Sequence, residues 1–223
     1  MFNIIYLDKV SSTMDVIKTY PFNTVLVANE QTNGRGKDTR QWISEKSNNI
    51  YMSIKLKDNC KNPFNYVFLI AIAIVDSLKN IDENINIQLK WPNDVLLKEQ
   101  KISGTIIERD LSTESIVIGT GINVDFNPQN VMFKATNLKK EGYNIDKKDL
   151  IKQVLDEFSK YNIDNFDAIR NEWLKFAYNL NKKITVKINN KELSGIFKDL
   201  DKEGNLILDT DNGEIKISSG DVF

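Results

Sequence analysis

With 223 residues, 41% of them hydrophobic, the chain holds enough material for one large domain, or one domain plus a small appendix, around a real core. Lys and Arg number 30 against 31 Asp and Glu, a formal net charge of -1, so no global positive field draws the chain to nucleic acid, and any anion affinity must come from local clusters. The absence of histidine removes Ser-His-Asp and Cys-His catalysis and the usual zinc ligand sets, while the lone Cys60 forms no internal disulfide and fits a reducing cytoplasm.

The first residues, Met1-Phe-Asn-Ile-Ile-Tyr6, lack the basic start and long apolar stretch of a signal peptide. Ser11-Ser12-Thr13 opens a helix predicted over Met14–Thr19 and stopped at Pro21, and helix capping alone accounts for Ser12 or Thr13. A strand follows at Thr24–Ala28. Directly after it comes Gln31-Thr-Asn-Gly-Arg-Gly-Lys-Asp-Thr-Arg-Gln-Trp42. Gly34 and Gly36 permit backbone conformations closed to other residues, so successive N–H groups can converge on an anion. Arg35, Lys37 and Arg40 add cations, and Trp42 offers a flat ring to a purine. Many solvated surface loops are equally basic and glycine-rich, so this segment does not decide the matter alone.

Ile50–Leu56 reads as a strand, and Asn62-Pro63 starts a helix over Phe64–Leu78. Its apolar run, Val67–Val75, is far short of the roughly 20 residues that span a bilayer and reads as buried core. Ile85, Ile87 and Leu89 alternate through a strand over Ile85–Lys90, which delivers Trp91-Pro-Asn-Asp94 into a turn. After a short apolar run, Lys101 stands at the mouth of a strand over Ile102–Ile107, where Gly104 lets a ligand approach the backbone. Two cations, Lys90 and Lys101, beside one acid, Asp94, at the ends of neighbouring strands suit an anionic ligand. The strand Ser115–Asn123 closes on Gly119-Thr-Gly-Ile-Asn123; its glycines serve either tight strand packing or the passage of a ligand beside which Asn123 supplies an amide.

Helices are predicted over Lys148–Tyr161, with Asp146 as N-cap and a core stripe of Ile151, Val154, Leu155 and Phe158, and over Asn165–Tyr178. From Lys183 the pattern changes to short strands, Ile184–Ile188, Leu193–Phe197, Leu206–Leu208 and Ile215–Ile217. Turns at Asn189-Asn190, Glu203-Gly204 and Asp211-Asn212-Gly213 separate them, which predicts a small barrel of roughly 40 residues. Glu192, Asp199, Asp201, Asp209, Asp211 and Glu214 make it a poor surface for phosphates.

Taken together, Lys90-Trp-Pro-Asn-Asp94 with Lys101 and Gly104, downstream of Gly34-Arg-Gly36 and Trp42, closely resembles the biotin protein ligase family, the biotin–[acetyl-CoA-carboxylase] ligases. The resemblance runs in order from Ser12-Thr13 to a family-like ending, Ser219-Gly-Asp-Val222. It implies an α/β (α+β) catalytic domain over residues 1–180, a mixed sheet with flanking helices related to lipoate ligases, and an SH3-like C-terminal β-barrel over residues 181–223. It further implies a cytoplasmic enzyme, bound to neither membrane nor nucleic acid, that uses ATP and Mg2+ to turn biotin into biotinyl-5′-AMP. Biotin would then pass to one lysine of a biotin carboxyl carrier domain.

By position, the resemblance makes Lys101, Arg40, Asp94 and Lys90 the catalytic group. Lys101 looks like the lysine that touches both biotin's carboxylate and the α-phosphate, and Asp94 like the acid near the transfer centre. Ser12, Thr13 and Gln31 would read the ureido ring, with Gly34, Arg35, Gly36 and Lys37 beside it and Gly104 against biotin's tail. The ATP side would comprise Arg35, Lys37, Arg40, Trp42, Asn93, Lys101 and Asn123, with Trp42 beside adenine and Asn123 bonding the base or helping to hold Mg2+. Lys37 departs from the family, where many members carry arginine. Lysine lacks the planar two-pronged contact, so this loop is expected to hold the adenylate less tightly. The ligase pattern begins by about residue 10, leaving no room for the N-terminal helix-turn-helix of some relatives, so autonomous operator binding is not expected. A lipoate or octanoate ligase and a non-catalytic biotin or nucleotide sensor are the competing readings, and a monomer and a homodimer are equally compatible with the sequence.

Overall fold

The structure, a computed structural model, describes residues 1–128, 133–188 and 191–223. The turn expected at Asn189-Asn190 lies outside the described residues. Strands β1 (Asn3–Val10), β2 (Thr24–Gln31), β3 (Ile50–Lys57), β4 (Ile87–Lys90), β5 (Asp94–Leu97), β6 (Gln100–Asp110) and β7 (Ser115–Ile122) form one seven-stranded sheet in the order β1-β2-β3-β7-β6-β5-β4. β1 runs parallel to β2 and every other pairing is antiparallel, so the sheet is mixed.

Three helices cover one face: α2 (Asn65–Ile81), α3 (Lys147–Phe158) and α4 (Phe166–Leu174). α2 is apolar nearly all round and buried over most of its length, as a helix must be when it packs on a sheet and beneath two other helices. The stripe expected on α3 is buried, and Asp146 caps that helix by accepting from the Lys148 and Asp149 amides. On the opposite face, among the described residues, the one helical element is the single turn α1 (Thr13–Val16), extended by a 3-10 turn over Ile17–Thr19; Met14 and Ile17 pack there against Leu26 and Val117. Beside it that face carries a cleft and the loop that bears Trp42. No helix among the described residues is long and apolar enough to cross a membrane.

Two strands of this sheet, and Asp221–Val222 of the C-terminal one, escaped the sequence pattern. β1 is an edge strand with mixed burial, so strict alternation is absent. β5 has four residues and is consecutively apolar because both of its faces are covered. The C-terminal strands β8 (Lys183–Ile188), β9 (Lys191–Leu200), β10 (Leu206–Thr210), β11 (Gly213–Ile217) and β12 (Asp221–Val222) correct the expectation of a barrel. They form an open antiparallel sheet in the order β11-β10-β9-β8-β12, and among the described residues no pairing joins β11 to β12. With only two residues, β12 is too short to close it.

The two sheets are pinned together at the Lys90–Asp94 corner. Trp91, 2% exposed, donates its Nε1–H to the Gly204 carbonyl at 3.0 Å, in the turn between β9 and β10. Gly204 has φ +82, and a Cβ there would lie 2.6 Å from the Phe68 ring of α2. The Arg170 guanidinium reaches across from α4 to the Leu200 carbonyl and the Asp199 carboxylate. Trp91→Phe keeps an aromatic ring but removes the N–H that reaches the Gly204 carbonyl, together with part of the buried indole. Thermal unfolding is expected to show a loss of about 1–2 kcal/mol, a midpoint drop of roughly 2–8 °C; an unchanged midpoint would mean the contact carries no weight.

Candidate active site

The cleft on the face of the sheet opposite α2 holds about 720 Å³, counted to its open mouth. Its inner end is a chain of buried polar groups. The Ser53 hydroxyl donates to Thr13 Oγ1 at 2.8 Å, and the Thr13 amide and hydroxyl both donate to Gln31 Oε1, at 2.7 and 3.0 Å. Gln31 Nε2 donates to the Ser44 hydroxyl, which donates in turn to the Trp42 carbonyl. Beside this chain the Ser12 hydroxyl is 1% exposed and without a partner among the described residues. A buried hydroxyl with unused capacity at a cleft wall suits a small polar head group.

The floor is backbone. β5, β6 and β7 bring Asp94, Gly104 and Gly121 into one cross-strand row, and the Trp42 indole lies over the two glycines. A Cβ on Gly121 would sit 2.3 Å from that ring, and one on Gly104 would lie 3.0 Å from it. Glycine is required here by the ring's close approach rather than by chain direction.

Lys101 projects over the same floor. Its Nζ makes an ion pair with Asp94 Oδ1 at 2.6 Å and lies 5.4 Å from the Trp42 ring centre and 4.8 Å from that of Phe133. An ammonium facing two rings gains roughly 0.5–2 kcal/mol from each as water is excluded. Its backbone is fixed as well, because the Lys101 amide donates to the Lys134 carbonyl and its carbonyl accepts from the Thr136 amide.

The outer wall is the basic loop, folded back on itself by Gly36 N–H to the Arg40 carbonyl (2.8 Å) and Trp42 N–H to the Gly34 carbonyl (3.0 Å). Each cation in it is held. Arg35 pairs with Glu108 at 2.5 Å and Asp15 at 3.0 Å, and Lys18 also meets Glu108. Burial disfavours charge on Glu108, but Lys18 and Arg35 outweigh it and hold the carboxyl below its ordinary range. Lys37 donates to the Gly220 carbonyl at 2.6 Å, while Arg40 pairs with Asp221 at 3.0 Å. Against the opposing effect of burial, Arg40 and Lys37 pull the Asp221 carboxyl below its usual range. Thus β12 of the second sheet supplies an acid to the cleft.

Of the residues singled out from the sequence, Ser12, Thr13, Gln31, Arg35, Gly36, Lys37, Arg40, Trp42, Asn93, Asp94, Lys101 and Gly104 line this one cleft. Three do not. Gly34 lies behind the wall, where a Cβ would strike the Trp42 carbonyl at 2.4 Å. Lys90 is half-buried at the sheet corner, its Nζ 5.8 Å from the Phe223 ring; burial lowers its pKa, against the pull of Asp94 and Asp221. Asn123 is 3% exposed, donates from Nδ2 to the Thr136 carbonyl and stands outside the cleft lining. Among the described residues no three His, Cys, Asp or Glu side chains gather as a metal cage. Met14, Met52, Ile106, Thr120, Phe133 and Asp221 line the cleft without having been singled out. Two of them stood in motifs read from the sequence, Thr120 in Gly119–Asn123 and Asp221 in the Ser219–Val222 ending.

The lowered pKa values of Glu108 and Asp221 set a pH dependence. The stability they supply is complete above their ordinary values, 4.5 and 3.8, and is lost as pH falls through the lowered ones. Urea midpoints taken downward from pH 6 are therefore expected to fall below about pH 4.5, and less steeply in Glu108→Gln and Asp221→Asn. An equally steep fall in both variants would contradict this.

A polar inner pocket, a glycine floor under an indole, and the cations of the basic loop and β6 thus meet in one cleft, an arrangement suited to an acid beside a second anionic ligand. Comparison with known proteins agrees with that class. The biotin/lipoate A/B protein ligase family profile matches residues 6–127, and the biotin protein ligase C-terminal domain profile matches residues 180–223. The chain is 32% identical to the bifunctional ligase/repressor BirA of Bacillus spizizenii over 99% of its own length and 73% of that protein. It is 26% identical to the biotin–[acetyl-CoA-carboxylase] ligase of Paracoccus denitrificans, covering 89% of each. The biotin protein ligase of Aquifex aeolicus, solved in complex with biotin and ATP, superposes with a TM-score of 0.85 at 28% identity, over 99% of this chain and 97% of that one. The chain belongs to the biotin/lipoate A/B protein ligase family.

Proposed function

We propose that the chain is an ATP-dependent biotin protein ligase, which activates biotin to biotinyl-5′-AMP and transfers it to one lysine of a biotin carboxyl carrier domain in the cytoplasm. The observation that carries this reading is that Lys101, Arg40 and Trp42 share one cleft with the Thr13–Gln31 polar pocket. The kinship to ligases with biotin and ATP bound supports it. We divide the chain into a catalytic domain over residues 1–180 and a C-terminal domain over residues 181–223.

The first step brings a carboxylate against a triphosphate. At about 4 Å and an effective dielectric near 20, each like-charge pair repels by roughly 4 kcal/mol. Lys101, fixed by its backbone and by Asp94, offsets this where charge builds on the α-phosphoryl group. A biotin carboxylate oxygen attacks the α-phosphorus, and the bond to the leaving pyrophosphate breaks. Lys37 and Arg40, which Asp221 holds side by side, receive the phosphate charge. Magnesium enters as part of the MgATP substrate. In the second step the acceptor amine attacks the anhydride carbonyl and AMP leaves; we assign the Asp94 carboxylate as the base that takes the amine's proton. Ser12, Thr13 and Gln31 hold the ureido head, and Trp42 over its glycine floor shields the join between the two halves from water.

A lipoate or octanoate ligase would use the same fold, and pyrophosphate exchange with each acid separates the readings. Mass spectrometry of a carrier domain incubated with the protein, biotin and MgATP is expected to show a single biotin added. Lys101→Ala is expected to slow that addition by about 10²–10³-fold. No mass shift with biotin, or exchange supported by lipoate alone, would overturn the proposal.

A further inference from the structure

Asn49 lies off the cleft wall, immediately before β3, and is 1% exposed. Its Oδ1 accepts three successive backbone N–H groups, from Val124 at 2.8 Å and from Asp125 and Phe126 at 3.1 Å each, while its Nδ2 donates to the Phe126 carbonyl at 2.9 Å. Consecutive amides converging on one point form the kind of concavity that binds anions. Here a neutral carboxamide fills it, at the point where the β3–β7 ladder has ended at Ile122.

Beyond Phe126 the chain leads to Lys101. Asn127 Nδ2 donates to the Ala135 carbonyl, and Asn137 Nδ2 donates to Asn127 Oδ1 at 2.7 Å, which closes the neck of the segment. The returning residues then bond to the Lys101 backbone on both sides, through the Lys134 carbonyl and the Thr136 amide, and set the Phe133 ring against its ammonium. Lys101 is therefore steered by two supports, Asp94 from β5 and the 133–136 segment from the other side. Asn49 anchors the 124–126 turn behind the second support, and the Asn123 amide and the Val124 carbonyl tie that turn to Thr136 and Lys139.

We propose that Asn49 is a positioning residue for Lys101, which it aims at the reacting groups by fixing the 124–126 turn without itself touching substrate. This rests on the ligase reading for its chemical consequence. A displacement of about 1 Å transmitted from outside the site can cost on the order of 10²-fold in rate. In the ureido pocket Ser12, Thr13 and Gln31 stand at the start of α1 and on β2, and only their support Ser53 lies on β3, so Asn49 is expected to affect the rate far more than biotin binding.

The test uses Asn49→Ala, which removes the acceptor, and Asn49→Asp, which keeps an oxygen for the converging amides, exchanges the donor to Phe126 for an acceptor and adds a charge that the three amides receive. Amide hydrogen exchange in the absence of substrates reads placement. Asn49→Ala is expected to speed exchange at the Lys101 and Thr136 amides by about 10-fold while leaving β1 and β2 unchanged. Pyrophosphate exchange at saturating biotin and MgATP reads the chemistry: kcat is expected to drop about 10- to 100-fold in Asn49→Ala, with the Kd for biotin within about 2-fold and Asn49→Asp restored to within about 3-fold of wild type. Unchanged exchange at Lys101 and Thr136 in Asn49→Ala would overturn the proposal. So would Asn49→Asp being as slow as Asn49→Ala, or a general loosening that weakens biotin binding in step with the rate. Should the wild type fail to exchange pyrophosphate with biotin, the ligase reading falls, and the hydrogen-exchange arm still decides what Asn49 holds.

Discussion

The ion pair between Lys101 and Asp94 is the constraint on which the site is built. It exists because β5 and β6 pair in a register that sets Asp94 opposite Gly104, with a register shift just beyond that brings Lys101 opposite Leu96. Slipping one strand by a single residue would turn one partner to the other face of the sheet and break the pair. An ammonium held 2.6 Å from a carboxylate and flanked by two aromatic rings has few orientations open to it. Such preorganisation is what a developing phosphoryl charge rewards, since nothing has to reorient during the reaction.

The same short corner also couples the two sheets. Lys90 and Asp94 pair at the end of β4 and β5, and between them Trp91 plugs into the turn at Gly204 of the C-terminal sheet. From the opposite direction, β12 returns Gly220 and Asp221 to the basic loop, where they hold Lys37 and Arg40. The C-terminal sheet is therefore an anchor for the cation-bearing loop rather than a separate appendix. Exposed ion pairs of this type contribute at most about 1 kcal/mol each to stability, so their effect lies in where they hold charge.

Much of this was legible in the sequence because glycine, proline and alternating hydrophobics carry local signals. The Lys90–Asp94 corner, the basic loop and the buried α2 all follow from nearest neighbours along the chain. The rest depends on residues distant in sequence. Nothing local marks Asp221 as the partner of Arg40 or Phe133 as a neighbour of Lys101, because the second sheet brings the first and a segment more than thirty residues away in sequence brings the second. Gly121 could be read as tight packing or as close approach, and only the position of Trp42 decides in favour of the ring. Nothing local marks the Thr136 carbonyl as the partner of the Asn123 amide, since the two stand thirteen residues apart. The barrel expectation failed for a similar reason, since strand count does not specify whether the edge strands meet.

The central claim is that cations carried by separate loops act together on one charged reaction centre. A double-mutant cycle of Lys101→Ala and Arg40→Ala, read as kcat/KM for biotin-dependent pyrophosphate exchange, tests it most directly. If both side chains face the same developing phosphoryl charge, the two losses will be non-additive, with a coupling of about 0.5–3 kcal/mol. Strictly additive losses would place Lys101 and Arg40 at independent sites and contradict the account.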